Sequence, residues 1–552
     1  MIRFLMSVLL LLNLTETAAG QLYRQGDWVS FGVFRFVSAI ATGQHYAYFG
    51  TTGGVSRYDL IKDRWADPLT TSDGLPDNQI TVVAVDQVFN DLWLATPRGV
   101  ARYSDTSRKC TVYLSGGGQL LTDVQSIGTT WDGLLIFEGP TGLATFDVSS
   151  QAWQAMQPMD LVSLQTRTEV RWSGRRGWRP YNYPRFQTDP DYLFEPPDYI
   201  SDRRTDFPLT GFQEDRSRTV WIATWGLNVG KALLRDWHLA LQRICLYTPN
   251  VTAIAADGDD LWFGCQEDPF PFELSMPVSA PFREKGGVTR YNRKTGEWTY
   301  YIPSSTDGLP TGYVNAIVTD SSTVWFGTDE GLVEYQKGTK RWYPFSIGGM
   351  TSPHVTALAS TDKEVWIGTD RGINRLDRLT RSIKPINIKE LRAARVYDLE
   401  VDDSRTLWAG TDRGVFLHTG AGDWKKIEDP DAHSLSGSVF DIEVEADTLW
   451  FAIGSSLVRY NRKSGVWKTS LLPLSIGEYP LRIKNAGRFI WLGGSNGAAR
   501  FEKYTERWKV FTDRDGLIDE TVQAILPDGQ YVWFGTPRGV TRFLWNDPSR
   551  TD

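Results

Sequence analysis

Short runs in which apolar and polar residues alternate recur along nearly the whole chain, four to a unit, with Gly- and Asp-rich turns between them. The segment 355–376 shows the pattern: Val355-Thr356-Ala357-Leu358 alternates, Val365-Trp366-Ile367-Gly368 is almost wholly apolar, Thr369-Asp370-Arg371-Gly372 is a polar turn, and Ile373-Asn374-Arg375-Leu376 follows it. A fourth run usually carries a Trp, as in Glu297-Trp298-Thr299-Tyr300 and Arg341-Trp342-Tyr343-Pro344. Period-two alternation bounded by such turns predicts strands, and no segment sustains the 3.6-residue period of a helix. The expected fold class is all-β.

The second run and its turn make a recognisable unit: Trp, apolar, Gly or Ala, Thr, two polar residues, Gly, then Arg and an aromatic. It begins at Trp93, Trp325, Trp366, Trp408, Trp491 and Trp533, more loosely at Trp450, and at Tyr48 in the first copy. From Trp325 the steps are 41, 42, 42, 41 and 42 residues. Further copies sit at Ile136, Trp221 and Trp262, and a worn one at Trp172-Ser173-Gly174-Arg175-Arg176-Gly177 with Tyr181. Four-stranded units at this spacing predict a β-propeller with 11–12 four-stranded blades. Propellers have typically about four to eight blades, so two rings are expected, with one large ring as the alternative. The last copy ends after Val540-Thr541-Arg542-Phe543 without a fourth strand, while Gly26-Asp27-Trp28-Val29-Ser30-Phe31 resembles a fourth strand with no blade before it. The N-terminal strand is therefore expected to complete the last blade. The first ring would then be discontinuous, with the second inserted in it.

Composition changes this picture little. The 552 residues carry a formal charge of -7, with no basic run to attract a nucleic acid or a membrane surface. Five His and three Cys, none in a CxxC, argue against a metal site, and no cofactor is expected. A Cys245–Cys265 disulfide and three small half-buried apolar residues are both open readings. The N-terminus does change it. Arg3, the apolar run from Phe4 to Leu12 and the small residues Ala18-Ala19-Gly20 read as a signal peptide over 1–20. No later segment approaches 18 consecutive apolar residues, so the mature chain, 21–552, is expected to lack a membrane span and to be periplasmic or secreted.

Three connections read Asp73-Gly74-Leu75-Pro76-Asp77-Asn78, Asp307-Gly308-Leu309-Pro310 and Asp515-Gly516-Leu517. With the Trp-x-Gly-Thr-x-x-Gly-x-x-Arg-Tyr unit, they resemble the two-component regulator propeller repeat over nearly the whole mature chain. The resemblance implies the extracytoplasmic sensor propellers of bacterial hybrid histidine kinases, which pair propellers to recognise ligands, often glycan fragments. This chain ends just after its last copy, without the kinase, the membrane helix or a DNA-binding domain. The expected function is thus a free-standing, non-catalytic ligand-binding sensor-like propeller, possible partners being a glycan or other small extracellular ligand, or a protein of the envelope.

Two places carry candidate chemistry. The stretch 157–208, read as one degenerate blade with long loops, holds Trp172, Arg175, Arg176, Trp178, Arg179, Tyr181 and Tyr183. Flat aromatic faces suit sugar rings and guanidinium forks suit carboxylates or sulfates. The competing reading is that these aromatics pack the loop onto the ring while the arginines solvate it. With a second insert at 265–286, the stretch is expected to open on one face. The repeated turn carries Arg98, Arg371, Arg413 and Arg538, which could ring an anion at a channel mouth or simply complete hairpin turns. The recurring third-strand Arg (Arg57, Arg102, Arg290, Arg375, Arg542) is expected to pair with a neighbouring blade. No G-x-S-x-G or HExxH is present. A lyase or glycosidase would start from His238, His354 and tyrosines, and a scaffold would instead show a broad apolar patch.

Overall fold

The computed structural model describes residues 23–24, 26–177, 185–202, 205–267, 286–420, 424–427, 437–477 and 482–547. The signal-peptide segment, the 268–285 part of the second insert, and Trp178, Arg179, Tyr181 and Tyr183 lie outside them. Eleven sheets occupy blade positions among the described residues: nine of four strands, one of five and one of seven. Seven form a ring. Their first strands are Asn250–Asp257, Val314–Thr319, Val355–Ser360, Val396–Val401, Val439–Glu445, Arg482–Ala486 and Ala524–Asp528 (blades 1 to 7). Each packs on the next, and the seventh packs back on the first. The fourth strand of blade 7 is Trp28–Phe31, antiparallel to Gly539–Leu544 with Trp28 opposite Phe543.

Residues 37–242 form the other body, with first strands Val37–Thr42, Val82–Val85, Ser126–Thr129 and Asp206–Glu214 (sheets I to IV). These pack in the order IV, I, II, III. Two bodies are therefore present, not one large ring. The discontinuous body is the ring of C-terminal copies, which takes a single strand from the N-terminus, and the N-terminal copies form the insert. The worn copy at Trp172 builds no sheet of its own: Arg171–Gly174 is a fifth strand on the inner edge of sheet III, Trp172 opposite Gly128. An eight-residue helix, Pro158–Gln165, precedes it. Proline at its first position and Asp160 in its first turn support it, features too local to show as a period in the sequence.

The repeat unit is legible as packing. The second strand of a blade, such as Thr323–Thr328, is buried along its whole length because blades cover both faces. Its Gly makes room for the next blade. A Cβ on Gly327 would meet Val355 Cγ1 at 2.5 Å, one on Gly368 would meet Val396 at 2.6 Å, and one on Gly535 would meet Val251 of blade 1 at 2.9 Å, closing the circle. The Thr that follows fixes the hairpin. Thr328 Oγ1 donates to Gly331 O (2.8 Å) and accepts the Glu330 N–H (3.1 Å). Thr369, Thr411 and Thr536 repeat this.

Blades are also clasped at their outer ends. Asp320 of blade 2 accepts the Trp325 indole N–H (3.2 Å) and the Arg378 guanidinium of blade 3 (2.8 Å). Burial alone would raise its carboxyl. Hydrogen bonds from the Ser322 N–H and Trp325, with the Arg378 charge, hold it below the usual value. Lys337–Asp257 (2.6 Å), Lys503–Glu445 (2.6 Å), Arg462–Asp402 and Arg293–Asp528 repeat the clasp at four more junctions. The cation lies one residue past the third strand. The recurring Arg within that strand behaves less uniformly. Arg57 does pair across sheets, with Asp105 (3.2 Å), but Arg290 and Arg375 pair inside their own blades, with Asp260 (3.7 Å) and Glu364 (3.2 Å).

The two bodies share one apolar core. Phe49 and Trp221 of the insert pack with Phe31, Phe263, Trp298 and Trp533 of the ring around the connectors, which contribute Phe34, Ile244, Cys245 and Leu246. Cys245 and Cys265 are both buried there as free thiols, and Cys110 is free as well. Burial pushes the Cys265 thiol up to about 12.

Candidate functional site

A cleft of about 1200 Å³ lies where the outer edge of sheet I meets sheet IV and blade 1. Sheet I supplies the largest share of its lining. Arg57 and Tyr58 come from its third strand, the 59–64 hairpin carries Asp63, and Trp65 is the second residue of the fourth strand. The hairpin is set by Asp59, whose Oδ1 accepts the N–H groups of Ile61 (3.0 Å) and Lys62 (2.9 Å). Sheet II adds Tyr103 and Asp105, the long stretch adds Asp189 and Tyr192, and blade 1 adds Tyr291, Arg293 and Trp298.

Deep charges in the cleft are committed to one another. Arg57 donates to Asp105 (3.2 Å) and twice to Asp67 O (3.0 and 2.8 Å), and it lies 5.3 Å from the Tyr46 ring centre. Lys231 reaches from sheet IV to Asp63 (2.6 Å) and Tyr58 OH (2.8 Å). Hydrogen bonds from Lys231 and from the Tyr58 hydroxyl (2.7 Å) hold the Asp63 carboxyl below its usual value, while burial and Asp63 push the Tyr58 hydroxyl up. Arg542 of blade 7 pairs with Asp67 of the insert (3.0 Å) and ties the bodies together across the cleft. Both titration effects fix charge in place; neither poises a proton for transfer. The surfaces left to a ligand are the half-buried rings of Tyr46, Trp65, Tyr192 and Tyr291, with the exposed Arg64, Arg108, Arg243 and Lys294 at the rim.

The sequence-derived candidates fall elsewhere. Trp172, Arg175 and Arg176 sit at the inner edge of sheet III, where Arg176 forks onto Glu138 (2.6 and 2.5 Å) and lies 5.0 Å over the Trp172 ring. Arg175 reaches Gln125 (3.2 Å). The turn arginines belong to two bodies, Arg98 to sheet II and Arg371, Arg413 and Arg538 to blades 3, 4 and 7. Arg98 pairs with Asp77 (3.2 Å), Arg538 with Asp519 (3.3 Å), and Arg413 donates to Glu390 O (3.0 Å). Of the stretch 157–208, Asp189 and Tyr192 reach the cleft.

The two histidines named for acid–base work are in different bodies. His238 lies 3.4 Å from Asp189. His354, at the mouth of the ring, lies 3.1 Å from Asp329, which raises its imidazole above the usual value. Nearby, Tyr313 donates to Glu267, which pushes the phenol up to about 12. Among the described residues no group of His, Cys, Asp and Glu could hold a metal ion. Among the described residues no helix is long and apolar enough to cross a membrane.

Sequence reasoning missed the cleft because each of its residues reads as a packing residue of its own repeat. The usable signal was topological: a first strand in one body and a second in the other places the outer strand Arg64–Leu69 beside the blade that the N-terminus enters.

No known protein-family model matches the chain, and no curated protein matches it. Among solved structures, PorZ, a surface component of the type-IX secretion system of Porphyromonas gingivalis, is similar over 94% of this chain and 87% of its own, at 13% identity and TM-score 0.56. The extracellular domain of a putative hybrid two-component system from B. thetaiotaomicron is similar over 92% of this chain and 74% of its own, at 15% identity and TM-score 0.43. A virginiamycin B lyase from Staphylococcus aureus covers 53% of this chain and 94% of its own, at 15% identity and TM-score 0.41. At these identities the likeness is one of fold, and the fold is the β-propeller.

Proposed function

We propose that the protein is an extracytoplasmic, non-catalytic binding propeller whose ligand, a glycan fragment, lies in the cleft between the two bodies. The observation that carries this reading is the lining of the cleft: half-exposed aromatic rings beside fixed guanidinium and carboxylate groups, in a space of about 1200 Å³. Sugar rings offer C–H faces to aromatic rings and hydroxyls to charged donors and acceptors, so that one lining meets both. Because the deep ion pairs are already satisfied, they orient hydroxyls without demanding a charged ligand. The signal-like N-terminus and the resemblance to sensor propellers support placement outside the cytoplasm.

Glycan-array screening of the mature chain, followed by calorimetry on Tyr46→Ala and Arg64→Ala, tests it. Each substitution is expected to weaken binding about tenfold, the scale of one lost stacking or charge-assisted contact, with unfolding unchanged. Absence of glycan binding, or affinity untouched in both variants, overturns the reading; loss in Trp178→Ala alone moves the site to the long stretch.

One observation favours an enzyme as a second reading, the His354–Asp329 and Tyr313–Glu267 pairs at the ring mouth. Turnover of a bound glycan that His354→Gln abolishes would establish it.

A further inference from the structure

Arg35 lies in the connector that leaves the closing strand of blade 7 and enters sheet I. Its neighbours are fixed by backbone pairing. Phe36 bridges to Trp225, Val33 bridges to Cys245, and the Arg35 carbonyl accepts the N–H groups of Gly226 (3.0 Å) and Asn228 (3.1 Å). The guanidinium packs between two rings, 4.7 Å from Phe36 and 4.4 Å from Tyr247. The residue is only 6% exposed. Yet among the described residues it has no carboxylate partner, and its Nε–H has no acceptor. Trp225, also 6% exposed, packs its ring 5.4 Å from Phe36 and likewise has an indole N–H with no acceptor.

A guanidinium does not lose its proton in a protein, so Arg35 stays charged where charge is costly. Ring faces recover part of that cost. Two unsatisfied N–H donors, on Arg35 and Trp225, lie here with one unsatisfied acceptor, Asn228 Oδ1, and among the described residues no carboxylate answers the Arg35 charge, in a protein that clasps five blade junctions by cation–carboxylate pairs. We propose that Arg35 is the cationic half of an oxyanion-binding position at the junction of the two bodies, taking a carboxylate or sulfate group with Trp225 as second donor. The position is separate from the cleft, whose lining does not include Arg35, and stands or falls independently of the glycan reading.

Calorimetry and thermal unfolding of the mature chain with sodium sulfate, sodium galacturonate and galactose, against sodium chloride at equal ionic strength, test the proposal. Sulfate or galacturonate is expected to bind one per chain and to shift the unfolding equilibrium about tenfold at ten times its Kd. Galactose and chloride are expected to do neither. Sulfate alone marks a free inorganic anion as the ligand, and galacturonate alone an acidic sugar. Arg35→Gln should abolish the shift while raising the melting temperature in chloride, because an uncompensated buried charge is gone. Trp225→Phe keeps the ring and should weaken binding several-fold. An anion response absent from the wild type, or retained in Arg35→Gln, overturns the proposal. So does a melting temperature lowered by Arg35→Gln without any anion response, which marks a purely structural cation. Should Arg35→Gln not fold, Arg35→Lys and the wild-type anion arms decide it.

Discussion

Trp28→Ala is expected to destabilise the seven-bladed ring by about 3–5 kcal/mol, the range for deleting a large buried aromatic. Trp28 is 3% exposed and stacks on Phe543 with ring centres 3.9 Å apart and planes at 11°. Tyr23 meets it edge-on at 5.8 Å, and Phe511 packs at 5.8 Å from the other side. Gly516 is placed against it so closely that a Cβ there would lie 2.6 Å from Trp28 Cγ. The position differs from other buried tryptophans in what it holds. Trp342, the fourth-strand Trp of blade 2, lies in a blade made of consecutive chain. Trp28–Phe31 joins the N-terminal part of the described chain to its last blade, and the hydroxyl pair Ser30–Thr541 (2.8 Å) is its polar lock. Losing it leaves Gly539–Leu544 as an unpaired edge, a template for association. Trp28→Ala and Trp342→Ala should therefore lose similar free energy in urea, but Trp28→Ala alone should aggregate on warming and expose the 32–36 connector to protease. Equal aggregation of the two variants would sink the idea that this strand closes the ring.

The extent to which the fold could be read from the residues follows from where its constraints sit. The Trp-x-Gly-Thr unit was readable because one local arrangement is used repeatedly: a buried strand, a Gly that admits the next blade's Val, and a Thr that ties the turn. Trp172 misled because a strand added to an inner edge needs the same alternation as a blade strand, so sequence alone does not separate them. The cation past the third strand was overlooked in favour of the Arg within it. Both recur, but only the former extends beyond its blade at five junctions. The cleft was illegible for a different reason. Tyr46, Asp63, Tyr192 and Tyr291 come from distant repeats, and only the relative placement of the two bodies brings them together. One further feature was present in the copies and recoverable by register. Two inner-strand positions hold Ala253 and Ala255, Ala316 and Val318, Ala357 and Ala359 in blades 1 to 3, and Ala524 and Leu526 in blade 7. Blades 4 to 6 hold Asp398 and Glu400, Asp441 and Glu443, and Arg482 and Lys484 there.

That charged arc makes stability depend on pH in a specific sense. Burial, then the neighbouring Asp398, pushes the Asp441 carboxyl up to about 7. Burial, with Glu443 and Asp441 working against the Lys484 charge, does the same for Glu400. Asp398 is raised by burial too, although its carboxylate accepts the Ile442 N–H (3.0 Å). Lys484 keeps its proton against burial because Glu443 lies 2.9 Å away and three more carboxyls face it. A carboxyl whose folded value lies above its unfolded one binds its proton more tightly in the native state. Its contribution is fully present below the unfolded value and is lost as pH rises through the folded one. The ring should therefore gain on the order of 2 kcal/mol between pH 8.5 and pH 5.5. His354, raised by Asp329, adds in the same direction. Below about pH 4 the trend reverses, because carboxyls held low by partners, Asp63, Asp320 and Asp329 among them, take up protons and lose those contacts. Urea unfolding across this range should trace a maximum near pH 5–6. Asp441→Asn, which keeps the shape and removes the ionisation, should be more stable than the wild type at pH 8.5 and have a flatter profile, while His354→Gln should flatten it less. A wild-type profile that rises from pH 5.5 to 8.5, or an Asp441→Asn profile parallel to it, would mean that the arc stays ionised and solvated in the channel.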